Sequence, residues 1–143
     1  MKPFLAFCLI LLPCCLPACS EPASPQHLVV TEAVFSLGIG TDRKPAGITS
    51  EFPGGTSAVY CSFTWQSARP GAPITARWHY ASGDIHIIDY PFTLTRAADS
   101  GTLSLKLPPG KTFPAGTYRL DFAEKGKVIK SIAFTVLSTP ERK

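Results

Sequence analysis

The chain is short of the features that build helices, membrane spans and active sites. With one methionine, 14 prolines and only 17% charged residues among 143, no segment keeps the 3.6-residue apolar spacing of an amphipathic helix beyond a turn or two. The longest apolar run, residues 4–12, is nine residues, against the about 20 that a membrane-spanning helix requires. No segment recurs at a fixed period, which excludes solenoids and propellers. Three histidines occur without HxH or HxxxH spacing, and the serines lack a strand-turn-helix elbow. Gly54 and Gly55 have neither the helix nor the lysine that a phosphate-cradling loop needs after them. Beyond residue 19 a single cysteine, Cys61, remains.

The N-terminus is rich in what the rest lacks. Lys2 precedes the apolar "PFLAFCLILL", and small and turn-forming residues then lead to Cys19, the layout of a secretory signal peptide. The tetrapeptide "LPAC", residues 16–19, resembles a bacterial lipobox, with leucine three residues before the cut and alanine immediately before it. Pro17 departs from the pattern, where small or β-branched residues are usual. The resemblance implies that residues 1–18 are a lipoprotein signal peptide and that Cys19 is the lipid attachment site. Each buried acyl methylene contributes about 0.8 kcal/mol, so an anchor of several chains, palmitate among them, does not dissociate. Ser20 stands where an aspartate would signal inner-membrane retention, so by the same resemblance the expected location is the outer membrane, facing the periplasm. The alternative is cleavage after Ser20, with Ala18 and Ser20 as the small-residue pair and a soluble periplasmic product.

Residues 19–27 are expected to form the lipidated cysteine and a Pro-rich tether, and residues 140–143 a polar tail. Removing Lys2 takes the formal charge from +4 to +3, with the cations scattered singly, which gives no electrostatic footprint for nucleic acid. Cys8, Cys14 and Cys15 leave with the signal, so a lipidated Cys19 makes an intramolecular disulfide impossible and Cys61 reads as a buried thiol.

Residues 28–139 read as a single all-β domain. "SAVYCSFTWQ" places Val59, Cys61, Phe63 and Trp65 on one face and Tyr60, Ser62, Thr64 and Gln66 on the other. "PITARWHY" repeats the pattern with Ile74, Ala76, Trp78 and Tyr80, and the turn "SARPGAP" suggests that the two strands form a hairpin. Residues 28–39, 85–95, 102–107, 117–123 and 128–137 supply further strands, and Pro91 assigns its strand to an edge or bulge. Residues 41–55 read as a long loop with a short edge strand near residues 48–52. About seven short strands joined by turn residues indicate an antiparallel β-sandwich.

"AGTYRLDF", followed by "EKGKVIKSIAFTV", resembles the closing hairpin of immunoglobulin-like and fibronectin-like domains. Tyr118 falls at the corner-tyrosine position, and Leu120 stands where antibody domains have their second cysteine. Cys61 and Trp78 fall at the B-strand cysteine and C-strand tryptophan. The resemblance implies an Ig-like sandwich with an apolar Cys61, Trp78 and Leu120 contact in place of a disulfide, and it implies no particular activity.

The candidates for chemistry are few. His79 and His86 lie on neighbouring strands and, with Asp84 or Asp89, are the best metal-ligating set, but their spacing fixes no site and no metal is expected. Cys61 has an inward phase that suppresses its thiolate. Neither catalytic residues nor a cofactor are expected. Ile85, Ile87, Ile88 and Tyr90 exceed what one buried face needs and suggest either an exposed patch for strand addition or burial of Ile88 beneath residues 41–55, of which burial is the expectation. The functional expectation is an envelope lipoprotein presenting a non-catalytic Ig-like binding or accessory domain to an envelope protein partner. The alternatives are a secreted inhibitor or immunity-type protein acting through residues 41–55, and a periplasmic metal-handling protein.

Overall fold

Strict alternation along the strands generates two apolar faces, and the fold is the stacking of those faces. In the computed structural model, which describes residues 27–141, strand β4 (Ala58–Gln66) buries Val59, Cys61, Phe63 and Trp65 and leaves the residues between them partly open. Strand β5 (Ala72–Tyr80) buries Ile74, Ala76 and Trp78 in the same way. Around them are β1 (Val29–Ile39), β2 (Pro45–Ile48), β3 (Glu51–Phe52), β6 (Ile85–Leu94), β7 (Asp99–Lys106), β8 (Gly116–Glu124) and β9 (Lys127–Val136). The only helical piece among the described residues is a single 3-10 turn, Ala81–Gly83.

The strands form two sheets, one ordered β2-β1-β4-β7 and the other β3-β9-β8-β5-β6. All pairs are antiparallel except β3 and β9, which run parallel. The described residues therefore form an all-β sandwich of nine strands rather than about seven, because residues 41–55, where the sequence leads one to expect one short edge strand near 48–52, contribute two strands to the sheets. Pro45–Ile48 pairs with β1, and Glu51–Phe52 pairs with β9 and carries the fully buried Phe52.

The expected hairpin between β4 and β5 does not form, since they belong to different sheets. Each has one wholly apolar face, and both faces are buried when the strands stack across the sandwich rather than pair side by side. Ser67 and Gly71, at φ 60° and 82°, turn the chain between layers. The Ala68 amide donates to Ala97 O at 2.9 Å and the Gly71 amide to Leu94 O at 2.6 Å, which ties this crossing to the one between β6 and β7.

Between the layers the core is largely aromatic. Phe134 touches Phe35, Phe52 and Tyr118 with centroid distances of 4.7, 5.3 and 4.9 Å. Phe63 packs against Trp65, Phe92 and Phe122 at 5.5, 5.9 and 4.9 Å. Cys61, Trp78 and Leu120 all lie in this core, and Trp78 is directly opposite Leu120 in the β5–β8 pair. Tyr118 donates its hydroxyl to Pro114 O, forming the tyrosine corner. Lys125 and Gly126, both at positive φ, close β8 onto β9 as a two-residue turn whose twist suits a hairpin.

The sheets differ in width: β6 is the fifth strand of its layer, whereas the opposite layer has four. Pro91 sits on β6, opposite Thr75, as its missing amide hydrogen requires of an edge strand. The expected burial of Ile88 beneath residues 41–55 is not found. Those residues are taken up along β1 and β9, and Ile88 remains 46% exposed.

Candidate functional site

Three surface regions bring polar or apolar side chains together. The first is the outer face of the five-stranded sheet, where register alone creates a transverse row. Asp89 on β6 lies opposite Arg77 on β5, Arg77 opposite Asp121 on β8, and Asp121 opposite Ser131 on β9. The next row contains His86, His79 and Arg119. Asp121 is only 6% exposed, yet its carboxylate accepts from Ser131 Oγ at 2.6 Å and Arg119 Nε at 3.1 Å, with His79 Nε2 3.5 Å away. Asp89 is 2.8 Å from His86 Nε2 and 3.7 Å from Arg77 Nε. The His86 hydrogen bond, aided by the positive charges of His86, Arg77 and His79, holds the Asp89 carboxyl below its ordinary range.

The structure thus brings His79 and His86 together, with ring centroids 5.5 Å apart, but gives each its own carboxylate. Asp84 instead ends the 3-10 turn at φ 50°. Among the described residues no three His, Cys, Asp or Glu side chains converge as a metal-ligand set. The row is a ladder of alternating charge, and such cross-strand pairs contribute to holding a sheet in register.

The second region is a concavity of about 800 Å³ on the outer face of the four-stranded sheet. Its floor carries Ser62, Thr64, Ser100 and Thr102, and Arg43, Lys44 and Arg96 stand at its rim with Glu32 and Asp99. Asp99 is 3.5 Å from Arg96, so the rim is partly self-neutralised. Arg43 and Lys44 come from the segment that the inhibitor alternative would use. That segment is fastened by the Gly40 amide to Lys44 O at 2.8 Å and the Arg43 amide to Gly40 O at 3.0 Å.

The third region is the flank where β6 and β7 meet. Ile88 and Tyr90 have the inward phase of β6, being paired with the buried Trp78 and Ala76, but they are 46% and 53% exposed. They and Trp78 form one wall of a groove of about 340 Å³ whose other wall is the Thr102–Lys106 stretch of β7. Ile85, 54% exposed, extends the apolar surface at the start of β6. This is the exposed patch raised as the alternative to burial, save that Ile87 packs against the core. No local signal in the sequence tells that the opposite layer ends one strand short.

Cys61 is fully buried, and burial pushes its thiol up to about 12, so it carries no usable thiolate at neutral pH. Cys19 and the lipobox lie outside the described residues. No helix among the described residues is long and apolar enough to cross a membrane.

No family model matches the chain, and no curated protein matches it in sequence. Among solved structures, an immunoglobulin-like protein from Pseudomonas aeruginosa superposes with a TM-score of 0.53 at 10% identity, covering 79% of this chain and 98% of that one. An alkylpurine DNA glycosylase from Pseudomonas fluorescens, AlkC, bound to DNA containing an abasic site analog, gives a TM-score of 0.49 at 15% identity over 81% of this chain and 32% of its own. The first likeness is one of fold and agrees with the tyrosine corner and the two-layer topology. The second is too remote to bear on function.

Proposed function

We propose that the protein is a bacterial envelope lipoprotein, held in the outer membrane through Cys19, whose Ig-like domain binds a protein partner in the periplasm and performs no chemistry of its own. The observation that carries the binding reading is the apolar surface of Ile85, Ile88 and Tyr90 on the overhanging edge of the sandwich. Apolar side chains gathered at one flank of a β domain mark a contact surface. Support for the anchor comes from "LPAC" directly after the apolar run. The absence of catalysis is favoured by the state of the titratable groups: Cys61 is sealed in the core, and Asp121 and Asp89 are engaged by neighbouring cations and hydroxyls.

Two measurements on cells producing the full chain test the reading. Metabolic labelling with an alkyne palmitate should tag the wild type in the outer-membrane fraction and not the Cys19→Ala variant; a tag that persists in the variant overturns the anchor. A photo-crosslinking amino acid at position 90 should give a discrete adduct that the same group at the exposed position 111 does not give. Equal adducts at both positions overturn the binding surface.

A further inference from the structure

Strand β7 ends the four-stranded sheet at the flank where Ile88 and Tyr90 are exposed. It pairs with β4 through its whole length, from Ala58 opposite Lys106 to Trp65 opposite Asp99, and on its other side it has no neighbour among the described residues. Its outward backbone amides and carbonyls therefore form an open edge, a ready template for another strand. Across the gap, Phe92 of β6 packs on Phe63 of the other layer, but the Ile88–Tyr90 stretch is left uncovered, so these two side chains offer apolar surface to whatever would continue the four-stranded sheet. The groove, of about 340 Å³, lies between the open β7 edge and these two side chains.

On these grounds, and resting on the binding role proposed above, we infer that the groove takes up an extended segment of a partner polypeptide as a fifth strand of the four-stranded sheet, added along β7. The phase of β7 dictates the chemistry of that segment. Leu103 and Leu105 point into the sandwich, so residues opposite them are apolar and rest on Ile88 and Tyr90. Thr102 and Ser104 point outward and face polar residues. Lys106 is the charged side chain that lines the groove, and a carboxylate opposite it completes a cross-strand ion pair. The guest is thus an alternating apolar and polar strand with an acidic residue at the Lys106 end, the pattern of recognition by β-augmentation.

Two alternatives fit the flank less well. Addition along β6 is obstructed by Pro91 and by the register shift between Trp78 and His79. A second folded copy would bring its own β6 overhang to the same flank, shielding its β7 from this slot, whereas a single extended segment enters freely.

The test uses the full chain in detergent and a set of fluorescent peptides as long as β7, with valine at alternate positions and either glutamate or lysine at the outward position facing Lys106. The glutamate peptide should bind by anisotropy and slow hydrogen exchange at the β7 amides. Ile88→Lys and Tyr90→Lys should each weaken binding by about tenfold or more, as loss of a central apolar anchor does. Lys106→Glu, which leaves the apolar wall intact, should reverse the preference to the lysine peptide. Binding without protection of β7, equal binding by the Ile88 and Tyr90 variants, or no peptide bound at all overturns strand addition. A concentration-dependent dimer that Tyr90→Lys abolishes overturns it in favour of a second copy. If a position-90 crosslink to a partner persists while β7 stays unprotected, strand addition fails and the binding role does not.

Discussion

The Tyr118 hydroxyl donates to the carbonyl of Pro114 at 2.7 Å while its ring stacks on Phe134, with centroids 4.9 Å apart and planes 5° from parallel. One side chain therefore fastens the 108–115 connection to the core. Tyr118→Phe keeps the stack and removes the bond, and should lower the unfolding free energy by about 0.5–1.5 kcal/mol in urea titration. Burial, with a smaller contribution from Tyr80, pushes the Tyr118 hydroxyl up to about 12 from 10.0. The unfolded chain ionises first as pH rises, so this contribution is complete below 10 and lost as pH climbs towards about 12. Stability against pH should fall less steeply in that interval for Tyr118→Phe than for the wild type.

Cys61 should not react with a disulfide reagent such as DTNB in the native state at mildly alkaline pH, and should react fully in urea. Replacement by serine buries a hydroxyl among apolar neighbours and should cost about 1–3 kcal/mol by chemical denaturation. With the folded thiol at about 12 against 9.0 ordinarily, its contribution to stability is present below 9.0 and lost as pH rises above it, adding to the tyrosine effect.

Asp89 works in the opposite pH direction. Its depressed carboxyl contributes stability above its ordinary value of 3.8, and that contribution is lost as pH falls through the lower folded value. His86→Ala removes the largest cause of the depression. The Asp89 carboxyl carbon, followed by NMR, should then titrate at higher pH than in the wild type.

Gly101 on β7 lies opposite Phe63, and a Cβ added there would stand 2.9 Å from Phe63 Cζ and 3.1 Å from Cε1. The Phe63 ring is packed against Trp65, Phe92 and Phe122, which limits its room to shift. Gly101→Ala should therefore destabilise by about 1–3 kcal/mol through overpacking, outweighing the backbone-entropy gain of about 0.4–1 kcal/mol. A lower midpoint at unchanged denaturant slope would be the signature.

What the sequence makes legible is local phase. The alternation of β4, β5 and β7 reads directly because each has one wet and one dry face, and Tyr118, Trp78, Cys61 and Leu120 lie where the Ig-like resemblance puts them. Proximity of His79 and His86 also follows from neighbouring strands. What is not legible depends on the second layer. Whether β4 and β5 pair or stack is decided by how two equally apolar faces are best buried, which neither strand encodes alone. Residues 41–55 read as a long loop with a short edge strand near residues 48–52; β3 at Glu51–Phe52 answers to that strand, whereas β2 is too short to show a period and its pairing is set by β1. The expected burial of Ile88 beneath residues 41–55 fails for the same reason: phase is a property of a strand, burial a property of what stands opposite. Asp121, one of the two acidic members of the polar row, gains Ser131 through the register set by the Lys125–Gly126 turn together with the shift between Phe122 and Ala123.

The parallel pairing of β3 with β9, Glu51 opposite Thr135 and Phe52 opposite Val136, bears on how the molecule comes into being. Phe52, made early, finds its cover only when the last strand has been synthesised, and β8 likewise gains its outer neighbour only then. Such long-range closure is slow compared with local helix formation. A nascent chain without β9 has an incomplete five-stranded layer and nothing to close it. Formation of the complete five-stranded layer therefore waits on β9, which covers Phe52 and flanks β8.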